Sequence, residues 1–393
     1  MLQFYKSIFI CLILVLINGC VPDSTPHIDT MDEAVTEEDA FYADYDPSDM
    51  KFGYINTAGQ LAIRDLYDGV REFSEGLAAA NLNGKWGYID QFGRTIVDHE
   101  FRSAFAFTEG IARVQDFEKQ YWFIDKSGKR LNSQGFTEAY DCINGRIRVI
   151  TESGYNYISL EGDTLLPAYC SGAKDFKNGL AVVSRFGKYG VIDPSGAKIL
   201  PFSFQKIYVD DTVIRASDVN GVSLYSYSGK SLSDDNFDQI TQFQNNKAVA
   251  HRNGKLIMIS NTGEILFPLT KEIKRAEPAG SNIWRIYVND GVKLLSSDGQ
   301  MLTKNAHDQI FNFSEGLACY AVGDKWGYIN KAGNVHIPAK YDLIWDFKDG
   351  RARVVTKGGI GFIDPDGKLV IPPIFSEVKD FDEGLARVQI YRG

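Results

Sequence analysis

A short aromatic-glycine segment returns along this chain at an interval near 34 residues, and that period limits the fold more than any other feature. Residues 85–93 read KWGYIDQFG and residues 325–333 read KWGYINKAG. Aligned on the residue four before a turn glycine, the units fall at Ile55, Ile89, Ile124, Ile158, Ile192, Tyr225, Ile259, Leu295, Ile329 and Ile363, with intervals of 33 to 36 residues. Ten units at such spacing form an array. Its clearest copies stand at both ends, and residues 205–305 are the most worn.

Each unit has the same parts. A first strand reads Gly-Leu-Ala-Arg-Val or similar, as at 110–114, 350–354 and 384–388. A second reads Lys-Trp-Gly-Tyr-Ile in its best copies. Then comes a turn opened by Asp, Asn or Ser and closed by Gly three residues later, from Asn56/Gly59 through Asp90/Gly93 to Asp364/Gly367, in all ten units. The side-chain oxygen accepts backbone N–H bonds and the glycine takes positive φ, which predicts a type I turn followed by a left-handed residue. A third strand often ends in proline (Pro167, Pro201, Pro268, Pro338, Pro372), so it belongs at a sheet edge or a bulge. A last short segment ends in Phe-x-Glu-Gly or a close variant, anchored by Phe73, Phe107, Phe176, Phe313, Phe347 and Phe381. Helical pairs with the same period are excluded, because four turn positions per unit leave no room for two helices. The 37 glycines and 13% aromatic content are what such hairpins need.

In the second strand, the columns containing Trp86 and Tyr88 share one face and the Ile89 column lies on the other, so both faces must be covered. Gly53, Gly87, Gly190, Gly327 and Gly361 sit between, where a ring from a neighbouring unit is expected to pack over the missing side chain. Sheets stacked face to face meet these demands. The fold class is therefore all-β, ten antiparallel units of about 34 residues in a propeller-like arrangement. One large ring, two rings and an open superhelical array are all compatible with the period. The domain opens on a second strand (51–55) and closes on a first strand (384–389), so the two ends can share one blade.

The segments KWGYID at 85–90, KWGYIN at 325–330 and KYGVID at 188–193, with the recurring Phe-Ser-Glu-Gly-Leu-Ala, resemble bacterial WG (KWG) repeats over residues 50–393. Trp86, Gly87, Trp326 and Gly327 carry the signature. The resemblance implies a β-structured binding module of the kind found on exported proteins, and it brings no catalytic residues.

Residues 1–20 read as an address. Lys6 precedes an apolar run from Ile8 to Ile17, shorter than the roughly 20 residues of a bilayer span and suited to a secretory signal. The following Asn18-Gly19-Cys20 resembles the bacterial lipobox, which implies lipidation at Cys20 and residence in the bacterial cell envelope, membrane-anchored, either in the periplasm or facing the surface, with the outer membrane expected. Residues 21–49 hold ten acids and no Lys or Arg, as a flexible spacer would. They account for the formal charge of -9, because residues 50–393 are neutral overall. A neutral domain gives no electrostatic footprint for nucleic acid.

Chemistry is scarce. The turn acids Asp90, Asp125, Asp193 and Asp364 alternate with Ser and Asn, which favours capping over calcium. Glu75, Glu109, Glu315, Asp349 and Glu383 read as turn residues before glycine. The five histidines show no metal-ligand spacing, and no nucleophile-elbow, Walker or dinucleotide motif occurs. No metal, cofactor or catalytic residue is expected. Cys142, Cys170 and Cys319 suit burial, with a Cys142–Cys170 bridge as the alternative. Trp122, Trp284 and Trp345 break the repeat pattern and are the candidate binding residues. The sequence thus predicts an exported, lipid-anchored scaffold binding a protein or envelope glycan without catalysis. Its rivals are a glycan hydrolase or lyase on a propeller and a purely structural envelope protein.

Overall fold

The computed structural model describes residues 50–166, 170–233 and 236–391. The expected address, Cys20, the acidic spacer and Pro167 lie outside the described residues. Within them every regular element is a strand, and the strands form ten small antiparallel sheets arranged as a ten-bladed β-propeller. Blade 1 combines Met50–Asn56 and Leu61–Tyr67 with Val378–Asp382 and Leu385–Tyr391. Blade 2 runs Gly69–Val70, Leu77–Leu82, Lys85–Asp90, Thr95–Phe101. Blades 3 to 10 follow in chain order, beginning at Ser103, Ala139, Gly172, Lys206, Gln239, Arg275, Gln309 and Leu343. The Phe-x-Glu-Gly segment of one sequence unit is thus the first strand of the following blade.

Both ends of the array meet in blade 1. Met50–Asn56 pairs with Leu385–Tyr391 through seven consecutive residue pairs without a register shift. A core of Ile55, Phe362, Ile371, Val378, Phe381, Ala386 and Val388 joins blade 10 to blade 1. One closed ring results, and the two-ring and open arrangements are set aside. Each seam has its own apolar cluster built from opposite faces of adjacent blades. Tyr54 and Ile63 of blade 1, for example, pack on Val70, Phe73, Ala80 and Ile89 of blade 2. Tyr88 and Val97 then pack on Ala104, Phe107 and Ile124 of blade 3. Burial of Tyr88 and Ile89 on opposite faces is the two-sided demand of the sequence, met by stacking.

The glycines of the Trp-Gly signature do something other than expected. No ring of a neighbouring blade covers them; the one ring beside them, Phe202 at Gly190, belongs to the fourth strand of the same blade. A Cβ on Gly87 would stand 2.6 Å from the carbonyl oxygen of Val97, and one on Gly327 2.4 Å from that of Ile337, both in the fourth strand of the same blade. There the register steps from Trp86↔Phe101 to Tyr88↔Val97, two residues on one strand against four on the other. The fourth strand bulges over the glycine. The same step occurs at Gly53, Gly190, Gly327 and Gly361. Pro201, Pro338 and Pro372 lie in these bulged stretches, where an N–H is not needed. Where the column holds Trp122, Asn156, Ser223 or Lys293, only three strands form and the fourth is reduced to isolated bridges. Side chains then satisfy the orphaned backbone: Asn132 Oδ1 accepts from the Phe123 N–H at 2.8 Å and Thr303 Oγ1 from Leu294 at 3.0 Å. Blade 7, with Ile257, keeps a fourth strand that pairs Ile257 with Pro268 and Met258 with Phe267, without the wide step.

The Asx turns form as expected. Asp90 Oδ1 accepts from Phe92 and Arg94 N–H groups, and Gly93 has φ of 76°. The hairpin glycine Gly84 also has positive φ, but a Cβ there would meet open space. Gly87→Ala should therefore cost about 3 kcal/mol, from overpacking against backbone that cannot give way, and Gly84→Ala about 1 kcal/mol for its left-handed conformation alone. Urea unfolding of the two variants measures the difference; equal costs would remove the bulge as the reason for the Trp-Gly signature.

Candidate functional site

Seams are held by polar groups as well as by rings, and these define the accessible chemistry. In the second strand the fourth residue of Gly-Leu-Ala-Arg recurs as Arg113, Arg148, Arg215, Arg285, Arg353 and Arg387. Each arginine other than Arg148 donates an Nη1 N–H to a first-strand carbonyl of the following blade: Ala139, Ile240, Ile310, Val378 and, across the closure, Val70. Four face an acid of that blade, with Arg113–Asp141 at 3.0 Å, Arg148–Asp175 at 2.7 Å, Arg353–Asp380 at 2.5 Å and Arg387–Glu72 at 3.9 Å. Arg215 turns instead to Asp210 of its own blade, through Nε at 2.5 Å and Nη2 at 2.9 Å.

Opposite the arginine column, the first strands or the residue just after them supply Arg71, Phe105, Tyr140, Lys174, Tyr208, Thr241, Glu277, Phe311, Trp345 and Lys379. Five of the ten are aromatic, and they stay partly open to solvent. Guanidinium groups lie over the rings. Arg113 is 3.9 Å from the Phe105 centroid, Arg148 3.5 Å from Tyr140 and Arg353 4.2 Å from Trp345, while Arg71 sits between Trp86 and Phe105 at 5.2 and 5.1 Å. A band of aromatic and cationic side chains follows the first strands around the ring. It was not singled out in the sequence. Its signal was there, at the position two before the Phe anchor in most units.

The acids before glycine are indeed turn residues, with φ of 49° to 54° in Glu75, Glu109, Glu315, Asp349 and Glu383. They also reach the next blade. Glu75 accepts from the Gly110 N–H, Glu109 from Asn144, Glu315 from Gly350, Asp349 from Gly384, and Glu383 from Gly76 across the closure, at 2.7 to 3.0 Å. Burial alone would raise the Glu75 carboxyl, but hydrogen bonds from the Lys126 ammonium and the Gly110 N–H outweigh it and hold the group below its usual range.

The three singled-out tryptophans are not brought together; they stand in blades 3, 8 and 10. Trp122 is half-buried, donating its Nε1 N–H to Asp116 at 2.6 Å beneath Arg130. Trp345 belongs to the aromatic band. Trp284 is fully buried in the core between blades 7 and 8 and presents nothing to a ligand, a correction to its candidacy. It occupies a column that holds alanine in most blades, five residues after Ala279, which stands where most blades have the Phe anchor; across the strands Trp284 is paired with Pro278. The large and small members of the pair have changed places. Cys142 and Cys170 are buried free thiols in different seam clusters, so burial holds and the bridge does not form.

Among the cavities of the described surface are two modest ones at seams. One of about 290 Å³ lies between blades 8 and 9, lined by Arg285, Tyr287, Val292 and residues 308–311. The other, about 210 Å³, borders blade 4 near Phe136 and Asn156.

A family model described as WG containing repeat matches residues 52–86, 86–116, 308–326, 326–359 and 360–391. The matched stretches flank the worn middle, as the sequence resemblance did. No curated protein matches the chain. Among solved structures, the computationally designed Ika8 protein is 16% identical, covering 67% of this chain and 93% of its own, with a TM-score of 0.37. BamB from Moraxella catarrhalis is 13% identical over 72% of this chain and 95% of its own, at 0.30. A eukaryotic initiation factor is 10% identical over 81% and 94%, at 0.45. Likenesses this loose say nothing of function.

Two outcomes follow from the seam geometry. In a double-mutant cycle of Arg353→Ala and Asp380→Ala, the coupling energy should be about 2 kcal/mol, read by urea unfolding; a value near zero would make the pair incidental. Because the Glu75 carboxyl is depressed, its stabilisation is present above the ordinary carboxylate pKa and is lost as pH falls through the folded value. Wild-type stability should thus fall more steeply than that of Glu75→Gln as the solution is acidified below about pH 5, and parallel curves would contradict the assignment.

Proposed function

From a chain that carries WG-containing repeats at both ends of a closed ten-bladed ring, we propose an exported, lipid-anchored scaffold that binds a protein partner of the cell envelope without catalysis. The observation that carries this reading is the band of partly open aromatic side chains along the first strands, each backed by a largely buried arginine of the second strand. Rigid aromatics and arginine are the residue types that dominate protein interfaces, because they offer much contact area for little lost side-chain freedom. Tyr208 and Phe311 are its most open members, at 40% and 45% exposure. The recurring acids, by contrast, are engaged in turns and seams, which leaves them little part in acid–base chemistry.

Export and anchoring rest on the sequence: the apolar run, Cys20, and the acidic spacer before a neutral domain. In this reading residues 21–49, with ten acids and no Lys or Arg, join the anchor to the ring.

Cys20→Ala should abolish lipid labelling and release the chain from membranes; unchanged retention would sink the anchoring. For the binding role, the test is cross-linking in the intact envelope with wild type and with Tyr208→Ser/Phe311→Ser. Both substitutions lie at open positions, so the fold should persist by circular dichroism while cross-linked partner is lost. Undiminished cross-linking by the double variant would take the band out of the interface.

A further inference from the structure

We propose that the hairpin tip of blade 5, led by Phe186, inserts into the surface of a phospholipid bilayer, with the apolar tips of blades 3 and 6 as further contacts. The turn between second and third strands has a common form. Leu82 pairs with Lys85 around Asn83-Gly84, and Arg252 with Lys255 around Asn253-Gly254, with positive φ at both central residues. Asparagine followed by glycine is the pair that such a turn favours. In blade 5, Arg185 pairs with Lys188 around Phe186-Gly187, and Phe186 takes φ of 51°. Among the described residues, fifteen other than glycine have positive φ, and Phe186 is the one apolar side chain in that set. A bulky residue is strained there. Its ring is also fully exposed, and a Cβ on Gly187 would meet open space, so the tip projects with nothing of the chain against it. Strain and exposure are both costs, and no contact within the ring offsets either.

Nearby tips repeat the apolar exposure. Phe117 leads the turn of blade 3 and is 56% exposed; Val219 leads that of blade 6 and is 82% exposed. At the remaining tips the central residues are polar or glycine, as in Glu152-Ser153 and Lys357-Gly358. Every one of these turns joins a second strand to a third, so all lie on one face of the ring. Blade 1 has no such turn. Tyr391 ends its second strand and Met50 opens its third, the two residues paired with each other. The chain running back to Cys20 therefore leaves the ring on the face that carries Phe186. The choice of lipid rests on the proposed anchoring at Cys20, whose acyl chains would be joined to the ring at this face. Shape favours it too. The apolar tips stand on separate blades, with Glu152-Ser153 between Phe117 and Phe186. A protein interface needs a continuous complementary patch, whereas a bilayer takes separate prongs, each gaining by the apolar surface it removes from water. Arg185 and Lys188 beside the ring are matched by Glu152 and Asp218 on the tips to either side, which suits a zwitterionic headgroup.

The test uses the full chain as Cys20→Ala, held on phosphatidylcholine vesicles by an N-terminal histidine tag and a nickel-chelating lipid. The tip then meets lipid whether or not Cys20 is acylated in the cell. A reporter is introduced as Phe186→Trp and, on the far side of the ring, as Lys357→Trp, with the emission of the unsubstituted chain subtracted. Emission from Phe186→Trp should shift to shorter wavelength on capture and be quenched by brominated acyl chains, while that from Lys357→Trp should do neither. In solution, Phe186→Asn should raise the thermal midpoint, because it restores the residue of the sister turns. Unshifted, unquenched emission from captured Phe186→Trp would overturn the proposal and return the tip to a protein partner. Equal quenching at Lys357→Trp, or a midpoint that does not rise in Phe186→Asn, would overturn it as well. So would a shift that appears without lipid and grows with protein concentration, which would assign the tip to a second copy of the chain. Failure of the anchoring reads differently: wild type and Cys20→Ala would be retained equally by native membranes, and quenching at the tip of the captured chain would still stand.

Discussion

One contact recurs at five of the ring's ten seams: an aromatic side chain of one blade set edge-on against the phenylalanine of the next. Tyr54–Phe73, Tyr88–Phe107, Tyr157–Phe176, Tyr328–Phe347 and Phe362–Phe381 all have centroids 4.8 to 5.0 Å apart. Such edge contacts contribute beyond the area they bury. In the tyrosine pairs the hydroxyl also crosses the seam, donating to the carbonyls of Arg71, Phe105, Lys174 and Trp345. Burial is tolerable because the one polar atom is satisfied there, and burial pushes the Tyr88 and Tyr328 hydroxyls well above their usual pKa. The contact therefore fixes the spacing of blades and their angular offset together. A closed ring needs both, since an error repeated ten times would leave the ends of blade 1 unable to meet.

Departures from the pattern are repaired locally. Seven blades pair a Phe anchor with an alanine five residues later, as in Phe107 and Ala112 or Phe381 and Ala386, directly opposite in adjacent strands. The others keep the combined bulk at the same spacing: Cys142 with Ile147, Val209 with Ile214, and Ala279 with Trp284, although Trp284 is paired across the strands with Pro278. Volume is conserved across the pair while identity is not, as close packing demands. Four of the five blades that lack the Trp-Gly glycine also lack a continuous fourth strand, and in three of them Asn132, Asn156 or Thr303 takes over bonds to the exposed backbone.

Much of this was legible in the sequence. The period, the hairpin turns, the two covered faces and the shared blade all follow from residue spacing, because turn chemistry and strand alternation are local. Ring number was not legible: every unit looks alike, and only the pairing of Lys51 with Ile390 and its neighbours closes the count. The glycine role was misread for a related reason. A missing side chain reveals that something approaches but does not say whether it is a neighbour's ring or the same blade's backbone. Trp284 looked like a surface anomaly because single residues were compared down a column; compared in pairs with Ala279, it reads as core. The half-open first-strand column escaped notice because its members share no residue type, only a place beside the seam.

That difference between seam centre and seam margin bears on where function can arise. In a repeat ring each blade is held mainly by its two neighbours, so stability is spread over ten similar interfaces and no single one has to be ideal. At the centre of a seam, a poor substitution disturbs packing on both sides and must be compensated, as at Ala279 and Trp284. At the margin the cost is one unmet donor at Arg285, and at the hairpin tips beyond it one strained turn at Phe186. The closed ring can carry that cost without opening. Regular seams hold the architecture, and the margins of the irregular ones are left free to differ, so a ligand is best sought where the repeat has drifted at its edge and not where its signature is strongest.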